Sequence, residues 1–572
     1  AAAVGMGLLM GGYTASAADN TPGAGSGVAV GTGSNAPKAE NVAIGKDATI
    51  SYSGGVGMPS TGDIVIGNKA KTNNYIDQGG GIAIGSNSFV ENMVGGLERS
   101  FDFNQAGYNT LPFIGTPYGL PKHPDKMVTG VAIGQNTYAR SGSVMLGTHN
   151  YKGALGDVTV DSADVRSHNL LPFATALGAN SYSHGLFSSV TGAYSIISSN
   201  YDGNNSSAAS KNFGATITGS LNSIESATSS SNYSGVANSI VGTANRTANS
   251  NGSLIFGAGN EITNSIDSLS GTPTDGGASA KDLADTLRAA VKRSKSGGAT
   301  LAIGGGNKAD YTQKTSIIGV NNTVSGTSGS PSTYNSITGY DNKATNVNHV
   351  SVIGFENNVT NTNGAVVFGD KRTLTGADGS VVIGSSQNGT STSVKNAVAI
   401  GSEANVTKEG GVALGAGSVA SVDKGAAGYD PGTGTNSTDT SSVWKSTQAA
   451  VSVGDTSKGI TRQITGVAAG TNDTDAVNVA QLKKVKTSIV AAASTEVRAG
   501  TNITSVNKTA DPGDGHAIYT INAKDTVVTG GTATYASNGA GTATLTNSDG
   551  TTATVTGLQD RYTSSASLSG DT

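Results

Sequence analysis

Any chemistry in this chain of 572 residues has to come from few side chains: charged residues are 13% of the total, aromatics 5%, and there is no cysteine. Disulfides, thiol nucleophiles and Cys-ligated zinc are thereby excluded. The six histidines (His123, His149, His168, His184, His349 and His516) could act as bases or metal ligands. They are scattered, with no H-E-x-x-H and no pair at ligand spacing. There is no G-x-S-x-G nucleophile elbow and no G-K-[ST] phosphate loop, and the sparse Asp and Glu make no convincing pair for glycoside hydrolysis. The expectation is a non-enzymatic protein without cofactor or metal.

Two local concentrations suit binding instead. Residues 86–130 hold Phe101, Phe103, Tyr108, Phe113 and Tyr118, aromatics among Gly and Pro in an aromatic-poor chain. Such residues on a loop suit recognition, or pack as a small local core. In residues 258–300, Leu283, Leu287 and Ala290 share a helical face. Lys292, Arg293 and Lys295 follow at its C-terminal end, where the helix dipole favours cations. That cluster reads as a capped surface helix or as a contact for acidic glycans or matrix. A third excursion, residues 148–174, reads as a hairpin.

These segments interrupt a repeat that must position them. Gly numbers 83, about twice the usual share, yet it does not fall at every third residue, so the chain is not collagen. Net charge is 35 − 39 = −4, without the basic excess of a nucleic-acid binder. Two or three small or β-branched residues followed by Gly recur from Gly31 to Gly415, as in Val42-Ala43-Ile44-Gly45. Half the Gly-to-Gly spacings are 13 to 15 residues, and the rest are longer, as insertions would make them. A strict period means one unit stacked on itself. Alternation sends Val42 and Ile44 one way and Ala43 the other. Polar, Asn-rich corners follow each Gly, and Gly45, Gly67, Gly85, Gly354, Gly369 and Gly384 are among the corner positions where positive φ is needed. Two short strands and two corners per turn make a flat parallel β-roll rising about 4.8 Å per turn. So thin a roll cannot hide all its Ile and Val side chains, so self-association along it is expected.

With "TRQITGVAAGTNDTDAVNVAQLKKV" (Thr461–Val485), the repeats resemble the head and neck of YadA-like trimeric autotransporter adhesins. The resemblance implies an all-β, left-handed parallel β-roll head that is homotrimeric, followed by a neck, a short coiled coil and a β-rich stalk module. It implies an exported protein at the outer membrane of a Gram-negative bacterium, attaching to host matrix, host cells or other bacteria. It assigns intersubunit polar contacts to Arg462 and Asp475. Asp473, Thr474 and Asp475 are helix N-cap candidates, and Leu482, Val485 and Ile489 follow at coiled-coil spacing.

The expected layout is a signal-peptide remnant at 1–17, a head at 18–424 and a neck with an insertion at 425–482. A coiled-coil segment at 483–496 and the stalk module at 497–572 follow. The final "SASLSGDT" is read as stopping short of a membrane anchor, so membrane contact is expected only through an anchor missing from this chain. Two rival functions stay open: a self-associating biofilm protein and, further off, a carbohydrate-processing β-solenoid enzyme.

Overall fold

The computed structural model describes residues 22–53, 62–75, 79–92, 129–140, 142–150, 173–198, 211–226, 234–266, 284–285, 288–289, 298–492, 497–501, 503–510, 512, 517–523, 526–537 and 539–559. The chain forms two units, residues 1–463 and 464–572.

In the first unit the apolar-Gly motif is a strand in each described turn. Among the described residues twenty such strands, from Val28–Val30 to Val451–Ser452, form one front sheet with parallel pairing throughout. Repeat lies on repeat in strict register: Val42 pairs Ile64, Ala43 pairs Val65, and Gly339 pairs Gly354. The second strand of each turn builds the back, as a four-stranded sheet that starts at Thr49–Ser53 and an eleven-stranded sheet that ends at Thr390–Thr392. This is the parallel β-roll.

The roll's core is one residue deep on each side. The second residue of each front strand from Val42–Ile44 to Val412–Leu414 points inward and is buried, as Ala43, Val65, Ile255, Ile317 and Val367 are. Seven residues on, half a turn away, the back strand supplies Ile50, Thr72, Ile262, Val324 and Leu374, also buried. The regular turn also continues inside two expected excursions. Phe89–Asn92 and Glu261–Thr263 are back strands paired to their neighbours.

Corner chemistry explains why the period wavers between 14 and 15. In the shorter turns the corner Gly carbonyl accepts a hydrogen bond from the N–H three residues later, as Gly45 does from Ala48 (3.2 Å) and Gly401 from Ala404 (3.2 Å). In the longer turns that third residue is Asn, and the strand runs on past the Gly. The Asn amide then reaches along the roll to the next turn's Gly carbonyl, as Asn322 does to Gly339 (2.8 Å) and Asn342 to Gly354 (2.7 Å). Each amide also donates to the Asn before it, as Asn342 does to Asn322 Oδ1 (2.9 Å). Asn222, Asn245, Asn260, Asn307, Asn322, Asn342 and Asn357 form this buried ladder. The ladder thus gives the Gly carbonyls and the Asn amides of these buried corners their partners.

In the second unit, a helix spans Val479–Ala492. An antiparallel hairpin, Ile503–Ala510 with Ala517–Ala523, follows. A three-stranded antiparallel sheet of Val528–Tyr535, Ala540–Asn547 and Thr552–Gln559 comes next. Among the described residues no helix is long and apolar enough to cross a membrane.

Candidate interaction surface

Alternation that buries the middle residue of each front strand turns its neighbours outward. The third residue is large and apolar in most turns. Ile44, Ile66, Leu146, Leu177, Val241, Phe256, Ile303, Ile318, Ile353, Phe368, Ile383, Ile400 and Leu414 expose 36–51% of their surface. Because the register never slips, they line up along the front sheet, with polar breaks at Thr191, Thr218 and Thr338. The first residue widens it in many turns, through Val42, Ile64, Ile82, Val366, Val381, Val398 and Val412. Full burial of such a side chain is worth roughly 1.5–3 kcal/mol. Covering the exposed two-fifths of thirteen of them is therefore worth on the order of 10 kcal/mol for each copy. A stripe of this extent marks an interface.

The corner glycines hold the strands at this spacing. Gly45, Gly67, Gly85, Gly354, Gly369 and Gly384 have φ of 127°, 138°, 123°, 144°, 147° and 124°. A Cβ on Gly354 would lie 1.9 Å from the Gly369 carbonyl oxygen.

Arg462 folds back on the last turns of its own chain. Its guanidinium donates to Ser418 Oγ (2.9 Å), to the Ala416 carbonyl (2.6 Å) and to the Val453 carbonyl. It borders a cleft of about 400 Å³ that Val419, Val422, Val451 and Ile460 also line.

In the second unit Asp475 accepts from the backbone N–H groups of Thr471 (2.8 Å) and Asn472 (2.9 Å), which hold its carboxyl below the usual range. It therefore closes a turn ahead of the helix. The N-cap is Asn478, not any of Asp473, Thr474 or Asp475. Asn478 Oδ1 accepts from Gln481 N (3.0 Å), and Gln481 Oε1 accepts from Asn478 N (3.2 Å), a capping box. The coiled-coil candidates Leu482, Val485 and Ile489 are 64%, 53% and 62% exposed among the described residues and form an apolar seam along the helix.

Phe101, Phe103, Tyr108, Phe113 and Tyr118 lie outside the described residues, as do Lys292, Arg293 and Lys295. Of the helix expected there, residues 284–285 and 288–289 are helical, and Arg288 pairs with Asp285. The buried Asn ladder was not anticipated. Its signal is plain in retrospect: Asn stands three residues after Gly219, Gly242, Gly257, Gly304, Gly319, Gly339 and Gly354. Among the described residues no three His, Asp or Glu side chains gather as a metal site.

Fold and surface define a stacked parallel β-roll with a long apolar face, joined in sequence to a capped helix and a β-rich segment. The profile of the coiled stalk of trimeric autotransporter adhesins matches residues 463–510. Autotransporter adhesin BadA of Bartonella henselae is 64% identical over 75 residues, which is 13% of this chain and 2% of that protein. Trimeric autotransporter adhesin AtaA of Acinetobacter sp. strain Tol 5 is 52% identical over 83 residues, 14% of this chain and 2% of that protein. Matched segments thus span a small fraction of either relative's length. Over these segments the chain is similar to trimeric autotransporter adhesins.

Proposed function

We propose that three copies of this chain pack through the front-sheet stripe and the helix seam into a homotrimer. That trimer stands on the surface of a Gram-negative bacterium as an adhesin. The stripe carries the reading: thirteen outward side chains in register stay 36–51% exposed among the described residues. A repeated surface presented three times favours many weak contacts, and linked weak contacts multiply into avidity without a deep pocket. The target is host matrix, a host cell surface or another bacterial cell, and the work is binding rather than catalysis.

The test is the solution mass of the chain by light scattering, together with binding of the same sample to immobilised matrix proteins. A mass three times that of the chain with saturable binding is expected. A monomeric mass refutes the trimer. A trimer that binds only other trimers or cells moves the function to cell–cell aggregation.

A further inference from the structure

The apolar stripe does not keep to one line. From Val366 onward the outward residues before the corner Gly are the first and third of each strand: Val366 and Phe368, Val381 and Ile383, Val398 and Ile400, Val412 and Leu414. Past the Gly, the fifth position there holds Asp370, Ser385, Ser402 and Ala416. The three preceding turns invert this. Ser316, Ser336 and Ser351 occupy the first position, and Val320, Tyr340 and Phe355 the fifth, 48%, 52% and 42% exposed.

The ladder is unbroken across the change. Val320 pairs Tyr340, Tyr340 pairs Phe355, and Ser351 pairs Val366. The backbone therefore keeps its register while the apolar stripe steps sideways by two residues, about 7 Å along the strand. The fifth position is also closed to an apolar partner after the step. Asp370 follows Phe355 there, held by the Phe355 N–H (3.0 Å) and by the Ser385 hydroxyl (2.7 Å). A carboxylate fixed in that column would be costly to desolvate under a neighbouring chain.

We propose that the surface covered by a second copy of this chain crosses the front sheet. It lies over the third and fifth positions between Ser316 and Phe355, and over the first and third from Val366 to Leu414. Neighbouring rolls then wind across one another at this step instead of packing along a straight line. The occupant is a second copy because the displaced patch joins the stripe at both of its ends, through Ile318 beside Ile303 and through Ile353 beside Phe368. This inference rests on the self-association proposed above.

The chain has no cysteine, so single thiols report cleanly. Ser336→Cys, Tyr340→Cys, Val381→Cys and Ser385→Cys would each be made in the full chain. Their labelling by a maleimide would be timed in native and denatured protein, alongside the solution mass. Protection of at least tenfold is expected at Tyr340→Cys and Val381→Cys, and free labelling at Ser336→Cys and Ser385→Cys. Ser351→Cys and Phe355→Cys repeat the comparison one turn on, should Tyr340→Cys disturb the fold. An oligomer protected at both Ser336→Cys and Val381→Cys, with Tyr340→Cys free, overturns the crossing and leaves the oligomer standing. An oligomer in which Tyr340→Cys and Phe355→Cys label freely assigns that patch to a different partner and also overturns it. A monomeric mass with all positions labelling alike overturns the self-association reading itself.

Discussion

Arg372 ends the asparagine ladder, and replacing it tests how the roll satisfies its corners. It stands three residues after Gly369, where earlier turns carry Asn, and its N–H donates to Asn357 Oδ1 (2.9 Å). Its guanidinium is 1% exposed and donates to the carbonyls of Gly384 (2.6 Å), Ala404 (2.9 Å) and Gly401 (3.0 Å). Gly401 keeps a second donor in the Ala404 N–H, whereas nothing else donates to Gly384 or Ala404 in the hydrogen bonds described. Arg372→Ala leaves two buried carbonyls bare, and at roughly 2 kcal/mol each the loss is about 4 kcal/mol. Arg372→Asn restores the Gly384 bond as Asn357 serves Gly369 (2.7 Å), so about half of the loss returns. Repeat proteins lose stability locally. Hydrogen exchange should therefore accelerate about a thousandfold in Val381–Leu414 for Arg372→Ala and stay unchanged around Ser239–Ala258. Equal effects of the two variants, or acceleration below tenfold, would refute the carbonyl argument.

Two further perturbations probe the same interior. Asp63 is buried and faces Tyr52 Oη (3.0 Å), Asn74 Nδ2 (2.9 Å) and Gly81 N (2.9 Å), with the Lys38 ammonium over the Tyr52 ring; burial pushes its carboxyl up to about 6 from 3.8. The folded state thus holds this proton more tightly than the unfolded one, so stability from Asp63 is full below pH 4 and is lost as pH rises through 6. Denaturation midpoints should fall between pH 4 and 6 by an amount on the order of 3 kcal/mol, and Asp63→Asn should flatten that limb. Separately, Gly354→Ala should cost well over 2 kcal/mol in thermal melts, because its Cβ strikes a backbone oxygen 1.9 Å away. Gly364→Ala, at φ 65° with nothing within 4 Å of the new Cβ, should cost about 1 kcal/mol.

The front strands were legible in the sequence because Val-Ala-Ile-Gly states period, alternation and corner at once. Which face is inside was not, since Ala43 carries less hydrophobic signal than Val42 or Ile44 yet is the buried one. A thin roll has room only for the middle residue, and the larger side chains are left for a neighbour. The Asn ladder escaped a hydropathy reading, which places Asn at the surface, whereas each of these amides is spent on a backbone carbonyl. The helix start was misplaced because Asp-Thr-Asp looks like a cap. Asn478 and Gln481 form the reciprocal box instead. The sideways step at Phe355 becomes visible only when turns are laid on one another in register.

The strands of the roll run across its long axis, and their hydrogen bonds run along it. A pull along that axis therefore loads the bonds of one turn together and those of successive turns in series. A turn that gives way releases about 15 residues, which extend by roughly 50 Å against the 4.8 Å the turn occupied. Under drag, such a rod yields one turn at a time and dissipates work at each. Between Asn222 and Arg372, the ladder amides and the Arg372 clamp add side-chain bonds that must break before the next turn lets go.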